Sequence, residues 1–174
     1  MSDTKRVLNP EITLCVYALA PVPSKTPWWA RKAKLTYSHI CLSLEDVVWE
    51  QGMGQLRGVR GRALRAGDWA RSAFSTRRAF KAVAVEFTAT PQQMQAFRQA
   101  AQDIAKRKSQ PLRTVLRYLG LWPVPAWNCT SPVRVLFGAL GHTLKGELPD
   151  DLIREIEALS ADSDCFDGVA GRLG

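Results

Sequence analysis

The residues best equipped for chemistry lie in three short stretches. Residues 125–141 read PAWNCTSPVRVLFGALG, with Cys129 where a loop turns into an apolar helix; residues 35–44 read LTYSHICLSL, with His39; residues 47–51 read VVWEQ, with Glu50. A thiol at the start of a helix sits among unpaired backbone N–H groups at the positive end of the helix dipole, which favours the thiolate and can stabilise a developing oxyanion. A histidine within reach turns such a cysteine into the nucleophile of acyl transfer. A carboxylate beside the imidazole fixes its tautomer and favours the protonated ring. Each residue also has a plainer reading: a buried inert thiol, a strand histidine satisfied by a neighbour, a surface carboxylate paired with an arginine.

The elements around these residues decide whether they can meet. Residues 11–19, rich in β-formers, predict a strand that ends at the proline-punctuated APVPSKTP. In 35–44 Ile40, Leu42 and Leu44 alternate with Tyr37, His39, Cys41 and Ser43, and Glu45-Asp46 is a tight turn into 47–51, which makes a hairpin. A two-residue turn sets Cys41 opposite Glu50 and leaves His39 diagonal to Glu50, within reach of long side chains. The glycine- and arginine-rich stretch from Gly52 to about Arg71 has no sustained period and reads as a loop with short helical pieces. Residues 79–89 return to strand composition.

Thr90 is a candidate N-cap with Pro91 at the first helical position and Gln93 at capping-box spacing, opening a helix to about Lys108 whose apolar stripe is Met94, Phe97, Ala101 and Ile104. Pro111 to Trp127 reads as a short helix and an extended approach. Beyond Cys129, Val133, Leu136, Phe137 and Leu140 recur at helical spacing, with Gly141 as C-cap; either Asn128 or Ser131 caps the other end. Residues 148–160 predict a last amphipathic helix with Ile153, Ile156 and Leu159 inward.

The chain of 174 residues is long enough for one core, and a second would leave both marginal, so residues 1–174 read as a single domain. Four cysteines are scattered with no CxxC pair and there are two histidines, so no metal site or other cofactor is expected. The start MSDTKRVLNPEITL lacks the pattern of a secretory signal and no apolar run could span a bilayer, which predicts synthesis in the cytoplasm. The net charge of +8 is concentrated in arginines between Gln55 and Arg78, with Arg57, Arg60, Arg62 and Arg65 as candidates to bind an acidic partner: an anionic membrane, a carboxylate-rich cell-wall polymer or nucleic acid. The segment lacks the interleaved aromatics of a base-stacking platform, which argues against nucleic acid. PWWARKAK, residues 27–34, mixes tryptophans and cations and could meet a bilayer or a sugar chain.

The order YSHICLSLEDVVWEQ, FKAVAVEF, TPQQMQAFRQAAQDIAKRKSQPL and WNCTSPVRVLFGALG resembles the circularly permuted branch of the NlpC-type papain-like cysteine hydrolases, from about Lys34 to Leu140. That resemblance implies an α+β, papain-like fold in which an antiparallel sheet packs against helices and the nucleophile opens a late helix. It also implies Cys129 as nucleophile, His39 as base and Glu50 as the orienting third member, with Cys41 standing where many members carry glycine. The reaction expected is amide hydrolysis through a thioester, without a cofactor. The cysteine N–H and the hydroxyl of Tyr37 or Tyr17 are expected as oxyanion donors. Relatives of this type include peptidoglycan stem-peptide endopeptidases and amidases, the first choice, and lipid acyltransferases of the lecithin:retinol acyltransferase type. A cell-wall substrate would require delivery by a phage, a virion or a dedicated export system. A non-catalytic basic module is the third reading.

Overall fold

A run rich in β-formers, with Ile12, Leu14 and Val16 on one face, drives Glu11–Leu19 into β1, an interior strand of a five-stranded antiparallel sheet. A computed structural model describes residues 9–21, 31, 34–52, 58–75 and 80–160, the side chains of 72–75 excepted. The strands are completed by β2 (His39–Leu44), β3 (Val47–Glu50), β4 (Arg62–Arg65) and β5 (Phe80–Thr88), in the order β4-β3-β2-β1-β5. The helices are α1 (Ala66–Ser75), α2 (Pro91–Lys106), α3 (Pro111–Tyr118), α4 (Thr130–Ala139) and α5 (Pro149–Leu159). None of the described helices is long and apolar enough to cross a membrane.

The β2–β3 hairpin turns on Glu45 and Asp46, with Glu45 in the left-handed region at φ 52°, and its register sets Cys41 opposite Glu50. Only His39–Leu44 of the alternating stretch is strand; the Ser38 N–H still donates to the Leu19 carbonyl. The expected loop after Gly52 holds more order than its composition suggests. Residues 62–65 form the edge strand β4 against β3, and Gly61 enables the entry, since a Cβ there would lie 2.6 Å from the Ile104 carbonyl oxygen. A four-residue edge strand, Arg-Ala-Leu-Arg, with Leu64 alone turned to the second core, is too short to show a period; pairing with β3 decides it.

One face of the sheet carries the main core. Leu14, Val16, Ile40, Leu42, Val83 and Val85 meet Phe97 and Ile104 of α2, Val133, Leu136 and Phe137 of α4, and Leu152, Ile153 and Ile156 of α5. In α5 Ile153 and Ile156 face inward as expected, together with Leu152, whereas Leu159 is 43 % exposed, because the buried side of the helix runs through 152, 153, 156 and 160 and leaves 159 on its flank. The other face is covered by α1, where Trp69 meets Leu19, Cys41 and Val48. The cap of α2 is as the sequence predicts: the Gln93 N–H donates to Thr90 Oγ1 at 3.1 Å and the Thr90 N–H to Gln93 Oε1 at 2.8 Å.

Candidate active site

His39 is the first residue of β2, Glu50 the last of β3 and Cys129 flanks the start of α4. In an antiparallel pair the first residue of one strand and the last of the other lie at the same end, so the fold gathers these groups at one end of the sheet. Alternation assigns His39 and Glu50 to the face of Cys41, opposite the face that α4 covers. The site is therefore built around the strand ends rather than on a flat face.

His39 Nε2 lies 3.3 Å from Glu50 Oε2, and Cys129 is near enough to the ring to act on its protonation. Burial alone would lower the imidazole pKa. The hydrogen bonds and charges of Cys129 and Glu50 outweigh that and push it up to about 9. Burial likewise works to raise the Glu50 carboxyl, but the His39 hydrogen bond, the ring's charge and Arg62 leave it below the usual carboxylate range. Arg62, opposite Glu50 in the β3–β4 register, bonds Oε1 through its guanidinium. Arg62, Glu50 and His39 thus form a line of alternating charge that ends beside Cys129.

The end of α4 is defined by Asn128. Its Oδ1 accepts from the Thr130 N–H at 2.9 Å and the Thr130 hydroxyl at 2.7 Å, while its own N–H donates to Ser131 Oγ at 3.0 Å. Cys129, at φ −62° and ψ −24°, already has helical geometry, so of the two candidates Asn128 is the cap and Cys129 falls in the first turn. Among the described residues the Cys129 N–H makes no hydrogen bond. Cys129 as a whole is 3 % exposed.

Trp127 holds this turn in register from several sides. Its Nε1–H donates to Gln51 Oε1 at 2.9 Å, its carbonyl accepts from the Gln110 N–H at 2.8 Å, and the Arg107 guanidinium lies 4.6 Å from its ring centroid. Gln51, fully buried, also donates to the Val59 carbonyl at 2.6 Å. It thus links the residue after Glu50 to the residue two before Cys129. On the other side Asp150 accepts from the Thr36 and Tyr37 N–H groups at 2.8 and 2.7 Å and ties the entry of β2 to α5.

Among the described residues neither tyrosine expected as an oxyanion donor makes a side-chain hydrogen bond to Cys129. Tyr17 packs on Trp69, with ring centroids 4.8 Å apart, and Tyr37 packs against the main core. Tyr118 interacts with Cys129 instead: burial, then the nearby charges of Cys129 and Glu147, push its phenol up and keep it protonated. Asn128 Nδ2 donates to that hydroxyl at 3.4 Å. Sequence reading missed Tyr118 and Gln51; the i, i+4 pair Thr114 and Tyr118 on the inner side of α3 was the available signal for the first, and nothing local marked the second. Cys41, in the glycine position of the resemblance, is buried in the second core with Sγ 3.8 Å from the Tyr17 carbonyl oxygen, so its side chain packs with Trp69.

Tyr118 also lines a cleft of about 780 Å³ with Arg117, Lys145, Glu147, Asp151 and Arg154 among its walls. Arg117 forks onto Glu147 at 2.6 and 2.8 Å and holds that carboxyl below its ordinary value. Of the arginines expected to bind an acidic partner, Arg62 is engaged by Glu50 of the same chain, Arg60 is exposed with its backbone in a β-bridge to that of Lys108, Arg65 is exposed, and Arg57 lies outside the described residues, as do Trp28 and Trp29. Among the described residues no three His, Cys, Asp or Glu side chains form a group that could hold a metal ion. The protein-family models, the curated proteins and the solved structures contain no match to this chain.

Proposed function

We propose that this protein is a cysteine hydrolase that cleaves an amide bond through a thioester, with Cys129 as nucleophile, His39 as acid and base and Glu50 as the residue that orients the ring. The carrying observation is one imidazole that bonds a carboxylate and whose pKa is raised by a thiol in the first turn of a helix. The papain-like, permuted NlpC-type reading of the fold belongs to the same proposal; the order of elements and an antiparallel sheet packed on helices support it.

The reaction runs in two steps. The Cys129 thiolate attacks the carbonyl carbon, a C–S bond forms and the C=O electron pair moves onto oxygen, facing the free Cys129 N–H and the Tyr118 hydroxyl. One such donor is worth about 3 kcal/mol of barrier. The imidazolium gives its proton to the departing amine as the C–N bond breaks. Water then attacks the thioester, His39 takes its proton, the C–S bond breaks and the acid leaves.

A cleft walled by both cations and carboxylates suits a peptide that carries both charges, which supports peptide over an acyl chain. A peptidoglycan stem peptide fits that class. Two measurements test the assignment. Iodoacetamide across pH, located by mass spectrometry, should label Cys129 before Cys15 and Cys41, and His39→Ala should remove the preference; a Cys129 silent to pH 9 while Cys15 reacts identifies a buried inert thiol. Incubation with muropeptides and, separately, with labelled phospholipids should release amine from the first, and none with Cys129→Ala. Turnover of phospholipid alone would transfer the triad to a lipid substrate.

A further inference from the structure

Between Asp103 and Glu147 the chain contains no carboxylate and seven lysines and arginines. That stretch also holds the three most exposed large apolar side chains among the described residues: Leu112 at 58 %, Leu121 at 68 % and Val124 at 58 %. Single exposed leucines are ordinary, but three within thirteen positions, in a region with cations and no acids, are not.

The exposure is built, not loose. α3 ends in a Schellman turn, with the Gly120 N–H donating to the Arg117 carbonyl at 3.0 Å and the Leu121 N–H to the Leu116 carbonyl at 2.8 Å, Gly120 taking φ 74°. Leu121 is the residue that commonly folds back onto the helix in this motif; here it stands in solvent on a hydrogen-bonded corner. Arg117, paired with Glu147, also donates to the Trp122 and Pro123 carbonyls at 3.1 Å and so fixes the chain just beyond the corner. The Arg113 guanidinium lies 5.4 Å from the Trp122 ring centroid, and Lys108 is exposed nearby in sequence. The inner side of α3, Thr114 and Tyr118, is used by the protein itself.

We infer that α3 and the corner after it dock this protein on an anionic membrane surface, with Leu112, Leu121 and Val124 entering the interface and Lys108 and Arg113 meeting lipid head groups. A wall polymer or nucleic acid would take the cations but gain nothing from aliphatic side chains, whereas a bilayer interface rewards both. A projecting corner suits insertion into lipid. The docking does not depend on Cys129 being a nucleophile.

Flotation with vesicles of phosphatidylcholine, with and without phosphatidylglycerol, tests it. The protein should float with the anionic vesicles and far less with phosphatidylcholine alone, and added salt should weaken the binding. Leu121→Asp with Val124→Asp should lower the affinity about tenfold or more, since two apolar contacts are lost and two negative charges gained. The circular dichroism spectrum and the iodoacetamide reactivity of Cys129 should stay as in the parent. Lys108→Gln with Arg113→Gln, which leaves the apolar corner intact, should weaken binding to the anionic vesicles only. Failure to float with anionic vesicles, or undiminished flotation of both double variants, overturns the inference. Retention on DNA or on an acidic protein without any on vesicles would reassign the surface to that partner.

Discussion

His39 concentrates the electrostatics of the site. Its acid form persists to about pH 9, so a step that needs the imidazolium to protonate a leaving amine should hold to that pH and fail above it. In Glu50→Gln the hydrogen-bonding shape is nearly kept while the charge is lost. The alkaline limb of the pH–rate profile should then move to lower pH, because one of the two groups that raise the ring is gone; an unmoved limb would show that Glu50 does not tune His39. The same shift has a consequence for stability. The folded-state pKa lies above the ordinary 6.5, so His39 stabilises the fold fully below pH 6.5, and that contribution is lost as pH rises through about 9. Denaturant midpoints at pH 6 and pH 9.5 should differ in that sense, and the difference should shrink in His39→Gln.

At the scale of the elements, α4 is a ten-residue helix whose first turn carries the site and whose cap is a side chain. Asn128→Ala removes the acceptor for the Thr130 N–H and hydroxyl, which should cost about 1 kcal/mol of stability. Because Cys129 is the next residue, the variant should also lose iodoacetamide reactivity at Cys129 beyond what the lowered melting temperature accounts for. Asn128→Asp, which keeps the acceptor, should restore the stability. Gln51 plays the matching part between strand and helix. A buried glutamine whose amide serves both Trp127 and Val59 cannot be removed without leaving those groups unpaired, so Gln51→Leu should cost about 1–3 kcal/mol and shift the Trp127 fluorescence.

Over the whole molecule, one sheet separates two unequal cores, and the larger carries most of the burial. The contrast within α5 reads it out. Leu152 is fully buried and Leu159 is 43 % exposed, so Leu152→Ala should cost about 2–5 kcal/mol and Leu159→Ala within about 0.5 kcal/mol, measured by chemical denaturation. The charge is distributed in an equally uneven way. Carboxylates cluster on α5 and cations on β4 and the 104–146 stretch, and the two signs meet in the cleft where Arg117 and Lys145 face Asp151 and Glu155.

What the amino-acid order determined by itself was whatever rests on local chemistry. The Thr90–Gln93 capping box, the β2–β3 hairpin with Cys41 opposite Glu50, and the apolar spacing of α4 were legible because caps, short turns and helical periods are properties of a few neighbouring residues. β4 was not, since a four-residue edge strand takes its conformation from the partner strand. The same divide runs through the site. Cys129, His39 and Glu50 could be named as candidates, but the nearness of Tyr118, the Gln51 link to Trp127 and the capture of Arg62 by Glu50 join residues distant along the chain. Such pairings follow from how the helices settle on the sheet, a property of packed surfaces that no short segment contains.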